Sequence, residues 1–172
     1  MGPAHAFIDE PREELRGSDR TRFARPDILD VGDRRVDQPV IRLASLATRI
    51  LADDGRLLIV ADDEAFLARL DRLLWDQGAA SFLPHAIAGG ADDARQPILL
   101  ATTPDTPNLA RNLAIADGVW REAALGFDRD FYLFDTATLD AARLAWKLLA
   151  GRDSVDRHYW AQDEDRRWIE KA

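Results

Sequence analysis

The segment Arg56-Leu57-Leu58-Ile59-Val60-Ala61 is a near-continuous apolar run with no alternation that would leave one face in water. A strand that apolar is buried on both faces, as in a parallel sheet covered by crossover helices on both sides. Gln96-Pro97-Ile98-Leu99-Leu100 repeats the pattern, and 111–116 and 131–134 are two further strands of the same kind. A weaker strand, Asp27-Ile28-Leu29-Asp30-Val31, opens after Pro26 and closes at Gly32.

Between these runs the apolar spacing turns helical. Residues 40, 43, 44, 47, 50 and 51 predict a helix over 37–52, with Asp37 as N-cap, Pro39 in the first turn and Gly55 beyond its end. Asp62 or Asp63 caps a second helix over 63–76, and Asp135 or Thr136 caps a third over 137–150, stopped by Gly151. Residues 81–95 read as loop, and 152–172 as a short two-stranded or irregular cover. Alternating strands and helices give a single-domain α/β fold over 26–172, with a mostly parallel sheet flanked by helices and Rossmann-like in order. Residues 1–25 carry five acids, five bases and two prolines without sustained periodicity, and read as a disordered or loosely attached extension.

Several functions lose their footing at once. There is no cysteine, hence no thiolate nucleophile and no cysteine-ligated metal. The sheet has no glycine-rich phosphate loop, and Gly89-Gly90 has no lysine beside it. His5, His85 and His158 are far apart, so no metal site, catalytic serine elbow or cofactor is indicated. The net charge of -8 argues against direct nucleic-acid binding, which rests on neutralising phosphates. No secretory signal and no run of bilayer length is visible, so no membrane contact and a cytoplasmic location are expected. Asp62-Asp63-Glu64 admits two readings: a helix N-terminus with acids suited to its dipole, or carboxylates of a small α/β enzyme acting on a nucleotide or acidic metabolite.

The tryptophans carry more. In helix 63–76 the apolar face of Phe66, Leu70, Leu73 and Leu74 centres on Leu70, and Trp75 falls about 140° away, pointing out of the core. In helix 137–150, Ala141, Leu144, Ala145 and Leu148 mark the expected core face, and Leu139, Arg143 and Trp146 form a stripe opposite it. An outward arginine between apolar side chains suits a peptide that offers an aromatic ring and a carboxylate. Phe82, Leu83 and Pro84 form either a tucked loop or an exposed apolar rim for a partner protein.

The block Leu70-Asp71-Arg72-Leu73-Leu74-Trp75, then Ser81-Phe82-Leu83-Pro84-His85, then Gln96-Pro97-Ile98-Leu99-Leu100 resembles the chi subunit of bacterial DNA polymerase III holoenzyme. The likeness runs from about residue 26 to the C-terminus. It implies a non-catalytic accessory subunit with an α/β fold. That subunit links the clamp loader and polymerase to single-stranded-DNA-binding protein (SSB) by binding its acidic, phenylalanine-terminated tail, and reaches DNA only through SSB. The resemblance maps the SSB-tail site onto Trp75, Arg143 and Trp146. Leu139 stands where the family pattern has a lysine, so one cationic contact of the family is absent unless Lys147 or another arginine substitutes. A psi subunit, where one exists, would meet the loop of Phe82, Leu83 and Pro84.

Overall fold

The computed structural model describes residues 25–31, 38–76, 82–163 and 167–172. Most of the N-terminal extension, the expected cap Asp37 and Ser81 lie outside them. Among the described residues three α-helices, α1 (Gln38–Ala52), α2 (Glu64–Trp75) and α3 (Leu139–Leu149), accompany eight strands. These are β1 (Pro26–Asp30), β2 (Leu57–Val60), β3 (His85–Ile87), β4 (Ile98–Ala101), β5 (Asn112–Ile115), β6 (Arg129–Phe134), β7 (His158–Gln162) and β8 (Trp168–Glu170). They form one sheet in the order β3-β4-β2-β5-β6-β1-β7-β8, parallel throughout except for the β7–β8 pair. This is the α/β architecture the apolar runs demand.

Every residue of β2 and β4 is buried, because helices or loops cover both faces. Leu57, Ile59, Ile98 and Leu100 face α1 and α2, packing with Leu43, Ala47, Leu67, Leu70 and Leu74. Leu58, Val60, Leu99, Leu113 and Ile115 face the other way, towards α3. The two helical layers therefore lie on opposite sides of the sheet. Asp63 is the N-cap of α2, its carboxylate accepting from the Ala65 amide at 2.8 Å.

Three expectations need correction. The stretch 81–95 is not all loop: His85–Ile87 extends the sheet as β3, held on its edge by parallel pairing to β4. Its three residues are too few to show a period. The segment 152–172 supplies the two strands expected of it, but as part of the sheet and not as a separate cover. It joins the sheet edge, β7 pairing in parallel with β1 through Ile28↔Tyr159 and β8 returning antiparallel. Finally, α3 is turned by about a quarter revolution from the expected orientation. Its buried residues are Ala142, Ala145 and Leu149, while Leu144 and Leu148 are 59 % and 54 % exposed. The bulky Tyr132 and Phe134 of the sheet belong to the same cluster as Ala142 and Ala145, so small side chains let the helix approach.

Buried charge clusters at the amino ends of β1 and β6. Asp27 accepts from Arg129 Nε at 2.7 Å and from Trp160 Nε1 at 2.9 Å, which ties β1, β6 and β7 together. Beside it, Asp130 is fully buried and neither carboxyl oxygen has a hydrogen-bond partner. Burial first, and the charge of Asp27 second, push its carboxyl up to about 8.

Candidate functional site

A groove of about 460 Å³ runs between α3 and the β1–β7 edge of the sheet. Its floor is Ile28, Phe134 and Tyr159, and its wall is Leu139, Ala142 and Trp146. Arg143 and Lys147 stand on its rim. The quarter turn of α3 makes this groove. With Ala142 and Ala145 against the sheet, Leu139 and Trp146 fall on one flank of the contact, half-buried and facing the strands. One turn of helix separates Leu139 from Arg143 and Arg143 from Lys147, which puts the cations on the open side.

The aromatic walls support one another. Trp146 meets Tyr159 edge-on with centroids 6.4 Å apart, and Tyr159 stacks on Phe134 at 6.3 Å. Arg157 lies over the Trp146 ring at 4.0 Å and donates to the Trp146 carbonyl at 2.6 Å, which fixes the indole from behind. Burial raises the Tyr159 phenol above its ordinary value, and a hydrogen bond to Asp30 adds to that, against the field of Arg143. Arg143 is 66 % exposed and pairs with Asp140 at 3.2 Å, one turn away. An exposed pair of this kind is weak and exchanges readily with an incoming carboxylate. The groove can thus take an apolar or aromatic side chain against the joined Trp146 and Tyr159 rings and a carboxylate at its rim.

The structure brings together four of the five residues assigned to the tail site: Leu139, Arg143, Trp146 and Lys147. It separates Trp75 from them. Trp75 ends α2, which packs on the opposite face of the sheet. Pointing outward from a helix says nothing about which side of the sheet that helix covers. Trp75 is 53 % exposed and neighbours Phe82 at 5.7 Å and His85 at 4.8 Å. Phe82 is 68 % exposed, so the two rings make an apolar patch. Leu83 is core and unavailable to a partner, and Pro84 is half-buried. His85 anchors this loop: Nδ1 lies 2.6 Å from the Leu83 carbonyl and Nε2 lies 3.1 Å from that of Asp71.

The acids after β2 are occupied structurally. Asp63 caps α2, and Asp62 pairs with Arg121, which also holds Asp117 in two hydrogen bonds. Burial alone would raise the Asp117 carboxyl, but Arg121 and the amides of Asp62 and Val119 outweigh it and hold the group below its ordinary value. No cluster of three or more His, Asp or Glu among the described residues could hold a metal ion.

Sequence reasoning missed Ile28, Phe134, Arg157 and Tyr159. For Tyr159, only the parallel pairing of β7 with β1 reveals its place beside Ile28.

A family model described as DNA polymerase III chi subunit, HolC, matches residues 34–157. The chain belongs to the DNA polymerase III chi subunit family. The match spans α1 to the residue before β7, and so includes all of α2 and α3. Membership makes the chi-family chain an accessory subunit of DNA polymerase III, associated with that complex in DNA replication. A search among curated proteins returns no match. No helix among the described residues is long and apolar enough to cross a membrane.

Proposed function

We propose that this chi-family chain links the polymerase III clamp loader to SSB by holding the acidic C-terminal tail of SSB in the α3 groove. The observation that carries the reading is the pairing of an aromatic slot, Trp146 and Tyr159, with a cationic rim, Arg143 and Lys147, in a chain of net charge -8. The terminal phenylalanine would enter the slot and the carboxylates would meet the rim. Burying the ring contributes about 2–3 kcal/mol, and each exposed ion pair about 1 kcal/mol at most. The contact is therefore weak and weakens further with salt, without vanishing, because its apolar share is unscreened. No catalytic residue is assigned. The Trp75–Phe82 patch on the other face suits a second protein, such as a psi subunit, so that one chain bridges two partners.

The test is fluorescence anisotropy of a labelled SSB C-terminal peptide titrated with the chain, beside a peptide whose final Phe is replaced by Ala. Saturable binding that requires the Phe and falls at least tenfold in Arg143→Ala/Trp146→Ala supports the site. Full affinity in that double variant sinks it.

A further inference from the structure

The groove has a second claimant in the same chain. β1 starts at Pro26, and Ile28, two residues on, already lines the groove floor. Twenty-four residues precede the described part of the chain and so attach at the groove's own edge. Within them, Phe7-Ile8-Asp9-Glu10 sets an aromatic and a branched aliphatic side chain directly beside two acids, with Glu13 and Glu14 following. The other apolar residues near it are differently flanked: Leu15 lies between Glu14 and Arg16 with no aromatic beside it, and Phe23 sits between Arg22 and Arg25, where cations would face cations. The acidic, aromatic character of Phe7-Ile8-Asp9-Glu10 matches the groove: a trough lined by aromatic rings with Arg143 and Lys147 at its rim.

Reach is no obstacle. The fifteen residues 11–25 span up to about 50 Å when extended. A tether of that length gives an effective concentration in the millimolar range, enough for a weak internal contact to be populated.

We propose that the segment Phe7-Ile8-Asp9-Glu10 docks in the α3 groove of its own chain and competes with an external acidic, aromatic-bearing peptide. This rests on reading the groove as a peptide site, though not on which protein supplies the external peptide. Phe7 or Ile8 fills the slot, and Asp9 and Glu10 meet Arg143 and Lys147. Being internal, the segment lacks a terminal carboxylate, so it holds less tightly than a chain end and yields to one. The extension thereby sets a threshold that a free tail must exceed.

The chain has no cysteine, so a nitroxide attached to Ala4→Cys labels a single position of the full-length protein. The readout is the indole N–H resonances of Trp146 and Trp75, which lie on opposite faces of the sheet. Expected is broadening at Trp146 and not at Trp75, lost in Phe7→Ala/Ile8→Ala. The same double variant should bind the SSB-tail peptide at least about threefold tighter than the parent. Equal broadening at both indoles, or none, overturns the proposal. So does broadening seen only in mixtures of spin-labelled and isotope-labelled chains, which would put the segment in a second copy. Selective broadening with no peptide binding keeps internal docking and removes SSB as the partner. Peptide binding with no broadening does the reverse.

Discussion

Replacing Asp130 by Asn should stabilise the protein, and by an amount that grows with pH. The carboxyl is fully buried, both oxygens lack partners, and Asp27 lies close enough to repel its charge. Arg129 makes no hydrogen bond to it: its Nε goes to Asp27, and its Nη2 is buried without a partner. In the unfolded chain an aspartate ionises near pH 4, whereas in the folded protein this one holds its proton up to about 8. The folded pKa is raised, so the stability linked to the proton is fully present below about pH 4 and is lost as pH rises to about 8. Each pH unit in that window costs about 1.4 kcal/mol. Between pH 5 and pH 9 the loss is on the order of 4 kcal/mol, and half of that if local opening admits water.

Asn removes the titration while keeping the shape. An unpartnered amide is itself costly, by about 1–3 kcal/mol, but that cost is the same at every pH. The informative quantity is therefore the difference between two pH values. Urea unfolding of parent and variant at pH 5, 7 and 9 measures it. A gain that rises with pH by 2 kcal/mol or more is expected. An identical change at pH 5 and pH 9 would refute the argument, since an ionised, solvated Asp130 would have no reason to depend on burial.

The remaining predictions concern the groove and its surroundings. Asp140→Asn frees Arg143 and removes a competing carboxylate, so tail-peptide affinity measured by anisotropy should rise about two- to threefold at low salt and less at high salt. Trp75→Ala should leave that affinity within twofold, because α2 covers the other face of the sheet. Leu83→Ala should cost about 2–4 kcal/mol in urea unfolding, and Phe82→Ala under about 0.5 kcal/mol, as an exposed residue does. Gly118→Ala should lower Tm by several degrees. Its φ is +72°, and an added Cβ would sit 2.6 Å from the Thr138 side chain just before α3.

Much of the fold was legible because parallel strands buried on both faces announce themselves as unbroken apolar runs; β2 and β4 are the clearest cases. The identity of the groove residues on α3 was legible for a less direct reason. The stripe Leu139, Arg143 and Trp146 was expected to face fully outward, opposite a core face of Ala141, Leu144, Ala145 and Leu148. The structure puts it on a flank instead. Hydropathy misplaced the core because leucine outranks alanine in any apolar count. Here close approach to Tyr132 and Phe134 favours Ala142 and Ala145, and Leu144 and Leu148 are left in water. Grouping Trp75 with Trp146 failed at a different level. Helical geometry gives the angle of a residue about its own axis, and only the strand order gives the side of the sheet.

That strand order also decides how firmly the groove is built. Its floor depends on β7, which meets β1 over three residue pairs only, Asp27↔His158, Ile28↔Tyr159 and Leu29↔Trp160. So short a parallel pairing is marginal by itself. The bond from Trp160 to Asp27 anchors it on one face, and the Phe134–Tyr159–Trp146 contacts anchor it on the other. A side chain packed against both Trp146 and Tyr159 adds contacts across the same junction, so occupancy of the groove and pairing of β7 stabilise each other. It follows that Trp160→Phe, which keeps the ring and removes the donor to Asp27, should weaken tail binding without touching the groove. It should also speed amide exchange in β7 while leaving β2 and β4 protected. Uniform exchange across the sheet would mean that the edge does not open separately, and the coupling argued here would fail.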